Sequence, residues 1–109
     1  MALKATIETI GEFTATGVGR VSMLGNQRPP GQFNNIGDKL RIFQFTGIAG
    51  GTLIDIEGSL DNSNWVKWAE GIDADTAIMI DDGPVYMRAN CTTYGSGTAQ
   101  VLCQKFINE

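Results

Sequence analysis

Short apolar-rich runs recur every 10 to 15 residues along the chain, and Gly, Asn, Asp and Pro separate them. Inside the runs apolar and polar residues tend to alternate, and no segment carries a convincing helical period. The pattern predicts strands near 4–13, 18–24, 40–46, 52–59, 65–71, 76–81, 85–94 and 98–107. Fourteen glycines suit a chain that must turn often. About eight strands with regular turn signals and no helices predict one domain, residues 1–109, all-β: an antiparallel β-sandwich of jelly-roll type.

Two pairs of strands can be given a register. Gly95-Ser96-Gly97 favours a tight hairpin between the last two strands. With Ser96 at its centre, Cys91 lies opposite Val101 and Ala89 opposite Cys103. Val85, Met87, Ala89 and Cys91 then share an apolar face with Ala99, Val101 and Cys103, as a core-facing hairpin requires. Cys91 and Cys103 are diagonal in this register, with Cα atoms roughly 7–8 Å apart. A disulfide usually spans about 4.4–6.8 Å, so two buried free thiols are expected. The outer face of the same hairpin would set Tyr86 opposite Phe106, with Leu102 near Arg88 and Asn90. Aromatic and aliphatic residues on a face that should be wet suggest contact with another surface.

The second pair brackets DNSN, residues 61–64, and carries both tryptophans of the chain. Pairing Leu60 with Trp65 would put Ile56 opposite Ala69, Lys67 among core positions and Asp55 opposite Glu70, a destabilising like-charge pair. A longer loop, Leu60–Asn64, pairs Gly58 with Val66, Glu57 with Lys67 and Ile56 with Trp68. Charge and hydrophobic pattern both favour the longer loop. It predicts Trp68 in the core and Trp65 on the outer face beside the turn.

One connection is unlike the rest. Residues 25–39, GNQRPPGQFNNIGDK, form a long polar stretch with a Pro-Pro pair. A connection of this length in a small domain is often functional. It reads as a loop or an arm towards a neighbouring subunit, with Arg28, Phe33 and Ile36 as its contacts.

Charge and composition then narrow the function. The net charge is −4 and the eight Lys and Arg are scattered, which argues against nucleic-acid binding. No apolar run approaches the roughly 20 residues of a membrane span, and the first residues lack the apolar core of a signal peptide. Synthesis in a cytoplasm is the expectation. Histidine is absent, which removes the commonest general base and metal ligand. The acids in IDADTAIMIDDGP follow no calcium-loop spacing, TGIAGGT at residues 46–52 lacks the Lys-Ser/Thr of a phosphate loop and reads as a hairpin connection, and Cys91 has no histidine partner. Neither a catalytic constellation nor a metal or cofactor site is expected. A sugar-binding surface has some ingredients: Trp65 stands among Asn62, Asn64 and Asp61.

The segment IEGSLDNSNWVKWAEGI, followed after a spacer by DDGPVYMRANCTTYGSGTAQVLC, resembles small structural proteins of tailed phages. It shares an EGS-D-NW hairpin, a GP-Y-RAN strand and a Y-SGT turn, over roughly residues 52–103. Size and expected fold also look like the capsid decoration (cement or staple) proteins of short-tailed phages. The resemblance implies a non-enzymatic virion protein made in the host bacterial cytoplasm and carried on the capsid exterior. Its implied partners are the major capsid protein and further copies of itself, as a dimer or trimer. The same type of sandwich occurs in tail and fibre modules that bind host glycans, the alternative in which Trp65, Asn62 and Asn64 would act.

Overall fold

A computed structural model describes residues 3–24, 40–81 and 83–108, and the strands it contains account for nearly every expected run. They are β1 (Leu3–Phe13), β2 (Gly17–Val18), β3 (Ser22–Met23), β4 (Arg41–Thr46), β5 (Leu53–Ser59), β6 (Val66–Ile72), β7 (Thr76–Ile80), β8 (Tyr86–Thr93) and β9 (Ala99–Asn108). The run expected at 18–24 is divided into β2 and β3, which both pair with β8. The expected arm, with Arg28, Phe33 and Ile36, lies outside the described residues.

Two antiparallel sheets face each other, one ordered β1-β9-β4-β7 and the other β2-β8-β5-β6, with β3 also on β8. If β2 and β3 are counted as one interrupted strand, this is the order of an eight-stranded jelly roll. The core lies between the sheets. Alternate residues of β4, β5, β8 and β9 point into it: Phe43 and Phe45, Ile54 and Ile56, Met87, Ala89 and Cys91, Ala99, Val101 and Cys103. Near the middle of β1 the register with β9 shifts between Thr9 and Gly11, and the extra residue, Ile10, is buried.

The last two strands correct the expectation drawn from Gly95-Ser96-Gly97. β8 and β9 do not pair: β8 is central in the five-stranded sheet and β9 central in the other. The connection crosses from sheet to sheet. The inward faces are those the alternation predicts, but they meet across the core rather than side by side. Tyr86 and Phe106 are therefore not opposite each other. Tyr86 is on the outer side of one sheet, while Leu102 and Phe106 are on the outer side of the other. Residues 47–52 are likewise a crossover, from β4 to β5, and not a hairpin loop. Gly47, Gly50 and Gly51 all have φ in the left-handed region there. Both cysteines are free thiols and buried, as expected.

Arg41 is the largest fully buried side chain. It shares the inward side of β4 with Phe43 and Phe45, which is what strand alternation demands. Its guanidinium donates to the carbonyl oxygens of Pro84 (2.8 Å), Ser22 and Val85. Burial pulls its pKa down. The arginine thus ties the β7–β8 connection and β3 to the opposite sheet.

Candidate functional site

Among the described residues the only sequential strands that form a true hairpin are β5 and β6, and their pairing combines both registers open to the sequence. Next to the turn Gly58 faces Val66 and Glu57 faces Lys67; farther on, Ile56 faces Ala69. The register shifts between Ile56 and Glu57, so Trp68 is an extra residue on β6 with no partner. Beyond the bulge the like charges expected to repel are reconciled by Lys67. Its ammonium lies 2.9 Å from Glu70 and 3.6 Å from Asp55. Glu70 lifts the Lys67 pKa, and Lys67 lowers that of Glu70.

The turn itself is built by Asp61. Its carboxylate accepts from the Ser59 hydroxyl, the backbone N–H groups of Ser63 and Asn64, and the Asn64 side-chain amide at 2.7 Å. These donors, with Asn64 foremost, hold its pKa far below the usual carboxylate range. The Ser59 hydroxyl accepts in turn from the N–H groups of Asp61 and Asn62. Asn62 has φ of 62°, a left-handed conformation that Asn tolerates better than most residues. The loop is therefore fixed by its own side chains.

The two tryptophans exchange the exposures expected of them. Trp65 is half-buried on the outer side, where the Arg88 guanidinium stacks 4.1 Å from its ring centroid. Arg88 is held by Glu57 at 2.8 Å, and Asn90 donates to the other oxygen of the same carboxylate. Burial alone would raise the Glu57 pKa; the hydrogen bonds from Asn90 and Arg88 outweigh it and keep it low. Trp68 is not a core residue: 44% of it is exposed. It does point to the side of β5 that faces the core, because a Cβ on Gly58 would meet its ring at 3.0 Å. At this end of the sandwich, however, the hairpin is left partly uncovered.

What lies opposite is the β7–β8 connection. Pro84 packs over Gly58 from the other side, and a Gly58 Cβ would come within 2.5 Å of its ring. Gly58 is thus the floor of a groove of about 510 Å³ between Trp68 and Pro84, continued by Val66, Leu60, Asp61 and Asn64. Leu60 (81% exposed) and Val66 (58%) make its rim strongly apolar. Solvent-facing Leu, Val and Trp side by side are the type of patch that marks a contact surface.

The sequence-derived candidates fall in three places. Asn64 lines the groove, Asn62 serves the turn backbone, and Trp65 faces away from the groove, beneath Arg88. Tyr86 is half-buried on the outer side of its sheet, next to Ser59 and Met23. Leu102 and Phe106 are half-buried on the far side of the molecule. Trp68, Leu60 and Pro84 are the residues that pattern alone does not pick out. Among the described residues no group of three or more Cys, Asp or Glu is placed to hold a metal, and Asp75 is bound to the Ile48 N–H.

No family model, no curated protein and no solved structure matches the chain.

Proposed function

We propose that this chain is a non-enzymatic structural protein of a phage virion. In this reading it decorates the capsid exterior by seating the β5–β6 hairpin end on major capsid protein subunits. The supporting observation is the exposed apolar groove of Leu60, Val66 and Trp68 on a turn that Asp61 already holds rigid. A preformed surface of this type loses little conformational freedom on docking. Its aromatic centre is of the residue type that dominates protein interfaces.

The alternative, a glycan-binding module of a tail or fibre, draws support from the exposed indole of Trp68 beside Asp61 and Asn64. The polar groups weigh against it. The Asp61 carboxylate and the Asn64 amide that would read sugar hydroxyls are already engaged with each other. The aromatic in question is also Trp68 rather than Trp65.

Co-sedimentation with phage heads assembled without the protein tests the reading. Binding and a higher temperature of head rupture are expected, both reduced at least tenfold in affinity by Leu60→Asp or Trp68→Ser. Failure to bind such heads would overturn it. Quenching of Trp68 fluorescence by host polysaccharide, abolished in Trp68→Phe, would establish the glycan reading instead.

A further inference from the structure

A sandwich of two open sheets has edges, and each edge strand presents an unpaired row of backbone N–H and C=O groups. Here the edges are β1 and β7 on one sheet, and β6 and the β2/β3 pair on the other. Three of them are blunted. β1 carries Lys4, Glu8 and Glu12, is bulged near Ile10, and has its Ile10 carbonyl taken by the Arg20 N–H at 2.7 Å. β6 carries Lys67, the bulge at Trp68 and a left-handed Gly71. β2 and β3 are two residues each. β7 has none of these devices. Its five residues, Thr76-Ala77-Ile78-Met79-Ile80, pair with β4 without a register shift and include no proline and no charge. Among the described residues no strand pairs with its other side.

We propose that the free edge of β7 takes an added strand from a different protein: an extended segment with apolar residues at alternate central positions and Lys or Arg at both ends. The proposal does not depend on what the hairpin groove binds. Backbone hydrogen bonds supply the affinity in this mode, and alternate side chains supply the selectivity. On the inward side Ile78 and Ile80 are half-buried against the core, so the alternate side chains of an added strand would finish covering them. On the outer side Met79 is 64% exposed. The ends of the strand are acidic. Asp73 and Asp75 precede it and Asp81 follows it, all three exposed. Asp75 accepts the Ile48 N–H, and none of the three is in an ion pair among the described residues.

The same acids argue against a second copy of the chain as the occupant. In an antiparallel pairing of β7 with itself, centred on Ile78, Thr76 of one copy lies opposite Ile80 of the other. That register sets Asp75 opposite Asp81 at each end, a like-charge pair that destabilises a ladder. Two chains of net charge −4 also repel each other as a whole. Basic ends on the incoming strand turn both repulsions into attractions. The acids thus guard β7 against pairing with itself while leaving it open to a strand of opposite charge.

A synthetic peptide with alternating Val and Thr at its centre and two lysines at each end tests the proposal on the full chain. Fluorescence anisotropy measures its binding, and hydrogen exchange locates it. A Kd on the order of 100 µM is expected, with slower amide exchange in β7. A peptide with the same centre and glutamate ends should not bind. The double variant Asp73→Lys, Asp81→Lys should reverse that preference, weakening the lysine-ended peptide about tenfold and admitting the glutamate-ended one. Trp68→Ser, which alters the hairpin groove, should change neither. No binding at concentrations on the order of 1 mM would overturn the proposal. So would equal binding of the two peptides to the parent protein, a result that stands whether or not the double variant folds. A lysine-ended peptide N-methylated throughout its centre keeps its charges but cannot join a ladder; undiminished binding of that peptide, or loss of binding in Trp68→Ser, would also overturn it. Slow exchange of the β7 edge amides in the protein alone would do the same. It would mean that another part of the chain already occupies the edge, or a second copy if the slowing grows with concentration.

Discussion

Gly58 is where the candidate groove is most sensitive to a single methyl group. Its backbone is extended, so alanine brings no φ strain, and in an open strand position the change would gain about 0.5–1 kcal/mol. Space decides the sign. The new Cβ would be 2.5 Å from Pro84 Cγ and 3.0 Å from Trp68 Cε3, where ordinary contacts begin near 3.4 Å. Pro84 would have to retreat by roughly 1 Å. It is poorly placed to do so, because the buried Arg41 guanidinium holds its carbonyl oxygen at 2.8 Å. Trp68 is freer, being on an edge strand and partly in solvent. The overpacking cost of about 1–3 kcal/mol therefore exceeds the gain, and Gly58→Ala should destabilise the fold by about 1–2 kcal/mol. For a domain of this size that is a fall in Tm of roughly 4–8 °C. Urea unfolding followed by circular dichroism measures the loss, and Trp68 emission in a Trp65→Phe background should move to the red as the indole is pushed outward. A Gly58→Ala protein as stable as the parent, with unmoved emission, would refute the close packing of Trp68 and Pro84 over this residue.

Three further outcomes are expected. Glu57 has a folded pKa below its unfolded value, so its contribution to stability is complete above about pH 4.5 and disappears as pH falls through the folded value. Acid titration downward from about pH 4.5 should release Arg88 as Glu57 is protonated and change Trp65 emission in a Trp68→Phe background; an identical transition in Glu57→Gln would assign it to another group. Arg41→Met keeps most of the volume but abandons three carbonyl oxygens, and should cost about 2–4 kcal/mol in urea unfolding, a prediction that a neutral result contradicts. Burial raises the pKa of both thiols, so Cys91 and Cys103 should react with a thiol reagent only as the protein unfolds, and rapid labelling of the native protein would oppose their placement in the core.

Which parts of this molecule can be read from sequence follows from what side-chain alternation encodes. Period two specifies the face of a strand, and the inward faces of β4, β5, β8 and β9 are legible for that reason. It does not specify the neighbour. Gly95-Ser96-Gly97 permits a hairpin or a crossover equally, and β8 and β9 each take a central place in a different sheet. Arg41 carries a usable signal, since alternation with Phe43 and Phe45 puts it inside; charge alone argues the opposite. In the β5–β6 hairpin, charge pairing identifies the register beside the turn and apolar pairing the register farther on. Neither reveals that a bulge at Trp68 joins them. The exposure of Trp68 depends on how far the opposite sheet extends, a quantity no local pattern contains.

The pairing of β1 with β9 has a consequence for how the molecule is made. Leu3 pairs across the ladder with Asn108, so the first strand of this fold pairs with the last. β9 also separates β1 from β4 in the sheet. Until it is synthesised, β1 has no neighbour in its sheet, and the core residues Ile10 and Phe13 lack the ladder that holds them in place. Contacts this distant in sequence close slowly. During synthesis β1 therefore stays unpaired in its sheet until β9 has been made, a period in which association with other unfinished chains is a hazard. Lys4, Thr6, Glu8 and Glu12 break the apolar pattern of that strand with polar groups.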